Sequence, residues 1–300
     1  MKDAGGNATY VGDGASGLYL WGAQLEANSS ATEYQGNGLN ASPYSAGSLP
    51  TPLTPNFVRR DTQQGKVFVA GTFDEWTGAP VADATLKLWV DAAQPSSYSG
   101  SGVNWADLSG TSNNLTLTNS SVFNGKLGGG AIVFDGSTSY AVKTTASGIP
   151  SGASPFTLST WFYPTSSAAA MRVVAYGTES TGQLVSIRIN AGGAYAVSFG
   201  HWGGAGYDLG NGSTVNPNAW NNVIEVFDGT NDYMYINGTL VGTFTPSTLN
   251  ISANSDFYVA CRATGEFFTG SVGQVMLYSR ALSADEVVQN FNALRRRYYI

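Results

Sequence analysis

Two glycine turns divide residues 220–244 into three short segments, and no other feature of this chain constrains its fold as strongly. Residues 222–227 and 232–236 are rich in β-branched and aromatic side chains, the composition of strands in a half-buried sheet. Asp228-Gly229 separates these two segments, and Asn237-Gly238 joins the second directly to Thr-Leu-Val. Both pairs tolerate positive φ and so close antiparallel hairpins at low cost. The sequence therefore predicts a three-stranded antiparallel meander.

The composition of the chain extends this prediction to an all-β protein. Charged residues make up only 11% of the 300 residues, and polarity comes instead from Ser, Thr, Asn and 38 glycines. This balance favours a loop-rich β protein and disfavours helical bundles and coiled coils. Hydrophobic residues make up 42%, enough to bury a core. The net charge of -6 disfavours non-specific binding to DNA or RNA, so no nucleic-acid partner is predicted.

The N-terminal residues and the single cysteine indicate where the protein is made. The first ten residues, MKDAGGNATY, lack the apolar region of a signal peptide, and no run of about 18 apolar residues occurs along the chain. We therefore expect synthesis in the cytoplasm, without an export signal and without membrane insertion. Cys261 is the only cysteine, which excludes an intramolecular disulfide, and its surroundings FYVACRA predict a buried, inert thiol.

The N-terminal part of the chain is predicted to be an extended arm over residues 1–63. Residues 37–55 carry four prolines among Gly and Ser, as extended linkers do. Residues 18–26, LYLWGAQLE, predict one strand, and together with Tyr34 they resemble the closing strand of lectin-like domains in tailed-phage structural proteins. Only 17 residues precede this strand, so the rest of such a domain is absent. An isolated strand cannot satisfy its backbone alone, so it must lie on the main domain, on a neighbouring copy or on another protein.

Several motifs follow one another in a recognisable order along residues 84–294. These motifs are LWVD at 88–91, WADLS at 105–109, FDG at 134–136, PFTLSTWFYP at 155–164, the meander, and FTGSVGQVMLYSRAL at 268–282. In this order they resemble the laminin-G-like, concanavalin A-like jelly roll found in virion proteins of tailed bacteriophages. The resemblance implies an antiparallel β-sandwich of jelly-roll type over residues 64–300.

One helix is predicted near the C-terminus. Ser283 and Glu286 form a capping box, and the helical pattern runs to about Arg297. Val287, Phe291 and Leu294 fall on one helix face, which is expected to pack on a sheet. The apolar tail at 298–300 either docks on the sheet of its own chain or inserts between subunits, and the sequence leaves both open.

The sequence offers little for catalysis. His201 is the only histidine, which excludes a histidine cluster for a nucleophilic triad or a zinc site. Concanavalin A-like hydrolases carry paired carboxylates on one strand face, and Glu225 and Asp228 have the wrong parity for such a pair. We therefore predict no catalytic residue, no metal and no cofactor. Glycoside hydrolysis stays a minor alternative, since carboxylates from separate loops could converge.

Sugar binding is the better prediction for a ligand site. Carbohydrates need an aromatic ring for their apolar face and fixed polar groups for their hydroxyls. The glycine-rich loop at 200–212 offers both, and its candidate glycan contacts are His201, Trp202, Tyr207, Asp208 and Asn211. The alternative is that these aromatic side chains pack the edges of the sandwich.

The resemblance implies a structural protein of a phage virion, either a capsid decoration protein or a tail-fibre-like appendage. Its arm would hold the subunit to other virion proteins and to copies of itself by strand addition. The alternative is a tail adhesin that binds host-surface glycans. The candidate assembly contacts are Leu18, Leu20, Trp21, Leu25, Arg59, Arg60, Tyr298 and Tyr299. The expected location is the virion, after synthesis in the host cytoplasm.

Overall fold

The chain divides into two units, Met1–Thr77 and Gly78–Ile300. The structure is a computed structural model that describes residues 57–61, 66–70 and 79–300, apart from 120, 191, 192 and 264; for the first two segments it describes the backbone. The predicted strand at 18–26 lies outside these residues, together with the candidate contacts Leu18, Leu20, Trp21 and Leu25. The predicted domain boundary at 63/64 also lies outside them and stays a prediction.

The first unit contains an antiparallel hairpin. Its strands are Phe57–Asp61 (β1) and Lys66–Ala70 (β2), with Arg59 opposite Phe68 and Arg60 opposite Val67. The candidate contacts Arg59 and Arg60 lie on β1.

The second unit is built almost entirely of strands. In chain order the strands are Leu86–Asp91 (β3), Asn104–Trp105 (β4), Leu115–Thr118 (β5), Val122–Asn124 (β6), Ala131–Asp135 (β7), Tyr140–Lys143 (β8), Phe156–Pro164 (β9), Met171–Gly177 (β10), Leu184–Ile189 (β11), Val197–Gly200 (β12), Asp208–Leu209 (β13), Asn221–Phe227 (β14), Asp232–Ile236 (β15), Thr239–Phe244 (β16), Phe257–Val259 (β17) and Thr269–Tyr278 (β18).

These strands form two antiparallel sheets that face each other. The front sheet has the order β13-β12-β11-β10-β17-β8-β5-β4. The back sheet has the order β16-β15-β14-β9-β18-β7-β6, with β3 also paired to β18. The main core lies between them and contains, for example, Phe162 and Val223 of the back sheet and Ile187 and Phe257 of the front sheet. The predicted all-β antiparallel sandwich is therefore confirmed.

The predicted meander forms β14, β15 and β16. Asn237 and Gly238 both have positive φ, 50° and 77°, as the two-residue turn requires. All seven residues of β14 are buried, so the expectation of a half-buried sheet is wrong for this strand. The reason is that Ile224 and Val226, on its outer face, pack under the C-terminal helix.

The C-terminal helix, Ala284–Leu294 (α1), covers the outer face of the back sheet. Ser283 and Glu286 form the predicted capping box, and Val287 is fully buried. The helix ends three residues before Arg297, earlier than predicted. Beyond it the chain turns towards the sheet, and Arg297 forms an ion pair with the buried carboxylate of Asp91 at 2.9 Å. Within the described residues, no helix combines the length and the apolar character of a bilayer-spanning segment.

The two adjacent tyrosines of the C-terminal tail lie in different environments. Tyr298 is 1% exposed and stacks on Trp161 with ring centroids 4.3 Å apart, so it docks on the sheet of its own chain. This corrects its assignment as an assembly contact, because a buried ring has no surface left to offer. Tyr299 is 85% exposed, and its role in assembly stays a prediction.

Candidate functional site

A surface depression of about 360 Å³ lies on the outer face of the front sheet, beside Trp202. We call it the Trp202 groove. Arg172 of β10 and Arg188 of β11 reach it because they alternate with inward-facing residues such as Ile187. The lining residues of the groove are Arg172, Arg188, Trp202, Gly203, Gly204, Asp208, Arg262 and Glu266.

Trp202 provides the aromatic surface of this groove. Its ring is partly exposed, and the guanidinium carbon of Arg262 lies 4.6 Å from the ring centroid, a cation–π contact. Trp202 has a φ of 62° and Glu266 a φ of 51°, a left-handed conformation that is uncommon for large side chains. Such strained residues persist where the surroundings hold them, and they cluster at functional sites.

Glu266 organises the charges of the groove. Its carboxylate lies 2.7 Å from Arg172 Nε, 3.4 Å from Arg262 Nε and 3.7 Å from Arg188 Nη2. Arg188 also pairs with Asp208 at 3.2 Å, and Arg262 pairs with Glu179 at 2.6 Å. Because each arginine is held by at least one carboxylate, the donors of the groove are fixed in position before any ligand arrives.

Arg172 forms the floor of the groove. Its side chain is 2% exposed, and it donates to Ser186 Oγ, which in turn donates to the carbonyl of Gly200 at 2.8 Å. Burial lowers the pKa of Arg172 to about 10, against the opposing charge of Glu266. The group therefore stays cationic at neutral pH.

Two of the five predicted glycan contacts, Trp202 and Asp208, lie in the groove. Tyr207 packs against the core from the loop and is half-buried. Asn211 is exposed, but its amide donates to the carbonyl of Val241 at 2.6 Å and so ties the loop to β16. His201 is fully buried between the sheets, which corrects its assignment as a surface contact.

The prediction from sequence missed Arg172, Arg188, Arg262 and Glu266. A signal for the first two exists, because each is a charged residue inside an otherwise apolar strand, MRVVAYG or LVSIRI. Nothing local marks Arg262 or Glu266, which lie in irregular segments near β17.

His201 belongs to a second group of side chains, inside the sandwich. Its Nε2 lies 2.9 Å from Asp232 Oδ2 and 3.4 Å from Glu225 Oε1, and all three residues are fully buried. Phe227 pairs with Asp232 across the β14–β15 hairpin, so Glu225, two residues before Phe227, shares the inner face with Asp232. The prediction from sequence compared the strand faces of Glu225 and Asp228 from their spacing, and so it missed the proximity of Glu225 and Asp232 on adjacent strands.

The surroundings of the interior group disfavour negative charge. Burial, and then the charge of Asp232, raise the pKa of Glu225 well above its usual range. Burial also raises the pKa of Asp232, against the opposing contact with His201 Nε2. The hydroxyl of Tyr176 is fully buried nearby, and its pKa is raised by burial and then by the charges of Glu225 and Asp232.

A family model described as the concanavalin A-like lectin/glucanases superfamily matches residues 135–288. The matched segment includes every lining residue of the groove and the whole interior group. No curated protein matches the chain.

Solved structures share the fold at low sequence identity. Domain 4 of AbnA, a GH43 extracellular arabinanase from Geobacillus stearothermophilus, in complex with arabinotriose, is 16% identical, with a TM-score of 0.55; the match covers 69% of this chain and 98% of that domain. The botulinum neurotoxin type G receptor binding domain is 14% identical, with a TM-score of 0.52 and coverages of 69% and 51%. Trypanosoma rangeli sialidase in complex with sialic acid is 17% identical, with a TM-score of 0.53 and coverages of 73% and 34%. The chain thus spans about half of the neurotoxin domain and about a third of the sialidase. At these identities the similarity shows the fold alone.

Proposed function

This chain belongs to the concanavalin A-like lectin/glucanases superfamily, and from that premise we propose that its sandwich binds a carbohydrate in the Trp202 groove. The observation that carries the proposal is Trp202 itself. A partly exposed indole, held at a φ of 62°, lies beside arginine and carboxylate groups that are already fixed by ion pairs. Sugars are recognised by this combination of an aromatic surface and positioned polar groups.

The size of the surface suits more than one sugar residue. A second depression, of about 420 Å³, is lined by Glu179, Asp256 and Tyr258 among others and shares Arg262 with the groove. Both volumes fall in the range of about 300–1,000 Å³ typical of ligand pockets. Two adjoining depressions with hydrogen-bonding walls favour an oligosaccharide over a single sugar.

Domain 4 of the arabinanase supports the proposal most directly, because the match covers 98% of it and it was solved in complex with arabinotriose. The sialidase complex supports it less, because the chain covers only 34% of that enzyme. Weak single sites gain strength when several copies bind together, so display in many copies would suit such a groove.

We expect binding without cleavage. The neighbouring carboxylates Glu225 and Asp232 are buried between the sheets, where a polysaccharide cannot reach. The groove carboxylates Glu266 and Asp208 are both paired with arginines. Release of reducing ends from a bound polysaccharide would contradict this part of the proposal.

A glycan array probed with the intact chain, followed by calorimetry on the best ligand, tests the proposal. Trp202→Ala is expected to weaken binding by about 10-fold or more, the loss typical of truncating an aromatic contact. Trp202→Phe should retain part of the affinity, because it keeps an aromatic surface. Tyr299→Ala is the matched control, since it removes an exposed ring outside the groove and should leave the affinity unchanged. Absence of binding above background across the array would overturn the proposal.

A virion role is a second, separate proposal that rests on the sequence resemblance. It is favoured by the LYLWGAQLE segment at 18–26 and by the ordered motifs over 84–294, which resemble structural proteins of tailed phages. In this proposal the N-terminal unit anchors the chain to other virion proteins and the sandwich displays the groove. Deleting residues 1–77 is expected to abolish incorporation into particles, measured by co-sedimentation with purified virions. Unchanged incorporation would contradict it.

A further inference from the structure

The group formed by His201, Glu225 and Asp232 brings both sheets of the sandwich together. His201 follows β12 in the front sheet, whereas Glu225 and Asp232 lie on β14 and β15 in the back sheet. One ligand atom from each residue lies within 4.8 Å of the others. The three side chains therefore converge on one point inside the main core.

The tautomer of His201 decides what can occupy that point. Its Nδ1 lies 3.0 Å from the carbonyl oxygen of Leu184, which can only accept, so Nδ1 carries a hydrogen. In the neutral ring Nε2 then bears a lone pair, and it faces Asp232 at 2.9 Å and Glu225 at 3.4 Å. Three electron-rich atoms face one another, so a proton or a metal cation must lie between them.

Several buried polar atoms around the group lack a hydrogen-bond partner, and a single proton cannot satisfy all of them. Among the described residues, both carboxylate oxygens of Glu225, Oδ1 of Asp232 and the hydroxyl of Tyr176 are buried without a hydrogen-bond partner. With both carboxyl groups ionised, a proton on His201 would satisfy only the contact to Asp232 and leave a buried net charge of −1. Such an uncompensated buried charge is strongly destabilising. A divalent cation would instead balance both carboxylates.

The geometry suits a small transition-metal ion. Zinc bonds of about 2.0–2.2 Å to nitrogen and oxygen place the ligand atoms of a tetrahedral site about 3.3 Å apart. The observed separations of 2.9 and 3.4 Å bracket this value. The hydrogen bond from Nδ1 to Leu184 is the backbone support that metal-bound histidines usually have.

We propose that the interior of this sandwich binds a divalent transition-metal ion of the Zn²⁺ class through His201 Nε2, Glu225 and Asp232. The hydroxyl of Tyr176 or a water completes the coordination. The ion would join the two sheets at a point where the core is polar, so its role is structural. The site is separate from the Trp202 groove, so the metal proposal does not depend on sugar binding.

Metal content after refolding is the primary test, because a buried site must be loaded while the chain folds. The full chain is unfolded in guanidinium with EDTA, refolded with ZnCl₂, dialysed and measured by mass spectrometry of its metals. We expect about one zinc per chain that survives dialysis. Refolding with Co²⁺ should give the visible absorption bands of a four-coordinate site. This measurement uses the wild-type chain alone. A folded wild-type chain that retains neither ion would overturn the proposal.

Isosteric variants separate metal binding from simple packing. Glu225→Gln and Asp232→Asn keep the side-chain shape and are expected to bind zinc at least about 10-fold more weakly. Asp285→Asn is the control, because it removes an exposed carboxylate on α1. Zinc should raise the melting temperature of the wild type and of Asp285→Asn equally, and raise that of Glu225→Gln by clearly less at the same zinc concentration.

Without metal, the order of the melting temperatures of wild type and Glu225→Gln is expected to reverse or disappear. Without zinc, Glu225→Gln should melt at the same temperature as the wild type or higher, because it removes a buried carboxylate that no cation offsets. A charge network held by protons alone predicts no response to zinc in any of these proteins. That result, or equal zinc retention by Glu225→Gln and wild type, would overturn the proposal.

Discussion

At the scale of single residues, Gly200 decides whether the floor of the Trp202 groove can form. It lies at the end of β12, where the buried side chain of Arg172 crosses the front sheet. A Cβ at this position would lie 2.7 Å from Arg172 Nη1, 2.7 Å from Arg188 Cδ and 2.9 Å from Ser186 Oγ. The absence of a side chain at Gly200 therefore leaves the space that Arg172, Arg188 and Ser186 occupy.

Gly200→Ala is expected to lower the free energy of unfolding by about 1–2 kcal/mol, the cost of overpacking a filled site. It should also weaken sugar binding, because the arginines must move. Urea unfolding and calorimetry measure the two effects. Gly265→Ala is the matched control, since the nearest heavy atom to its Cβ is 3.9 Å away and its effect should stay within about 0.5 kcal/mol. Equal effects at both positions would show that the crowding at Gly200 is relieved without cost.

At the scale of secondary-structure elements, α1 is fastened to the sandwich by charge as well as by apolar packing. Arg280 donates from both terminal nitrogens to Glu286, at 2.7 and 2.6 Å, and also contacts Asp83 at 2.9 Å. Hydrogen bonds from Arg280, opposed by partial burial, lower the pKa of Glu286 below its ordinary value of 4.5. The same carboxylate accepts from the backbone of Ser283 at 2.8 Å and so caps the helix.

This depressed pKa predicts a pH dependence for the stability of the protein. The stabilisation from Glu286 is present above the unfolded pKa of 4.5 and is lost as the pH falls through the lower folded value. Glu286→Gln keeps the capping box and removes the charge. At pH 7 the variant should be less stable by about 0.5–1 kcal/mol, because one ion pair is lost. The difference should shrink in urea unfolding as the pH falls below 4.5, and a difference that is constant from pH 7 to pH 3 would contradict the assignment.

At the scale of the whole molecule, the second unit contains its own core. Among the residues that the structure describes, the three apolar clusters, one between the sheets and two under α1 and the tail, draw their buried members from residues 86–298. Aromatic stacks such as Trp161 with Phe291 at 5.6 Å close the outer layer within the same unit. The chain from 78 to 300 therefore has what an independently folding domain requires.

The variant that lacks residues 1–77 should consequently fold, with a melting temperature within about 5 °C of the full chain. It should also keep the affinity of the Trp202 groove for its glycan. Differential scanning calorimetry and the glycan calorimetry measure these two properties. A deletion variant that is unfolded or that aggregates would show that the sandwich depends on the N-terminal unit. It would also invalidate the same variant as a test of particle incorporation.

Local chemistry was sufficient to predict several elements of this protein from its sequence. The turn at Asn237-Gly238 and the capping box at Ser283 each depend on residues within four positions of one another, so their sequence pattern fixes their geometry. The β-branched and aromatic segments at 222–227 and 232–236 predicted β14 and β15 to within one residue of their observed bounds. The order of these elements led to the sandwich, and the partly exposed Trp202 was found from the composition of its loop.

Only the tertiary structure decided which distant residues share a site. Arg172 and Glu266 are 94 residues apart in the chain, and His201 and Asp232 are 31 apart. Their contacts depend on strand register and on how the two sheets face each other, and no local pattern encodes either one. His201 illustrates the difference: the glycine-rich loop around it indicated exposure, yet its side chain turns inward towards two carboxylates. The sequence determined the strands, turns and helix through short-range chemistry, whereas long-range pairing placed charged side chains in the groove and in the core.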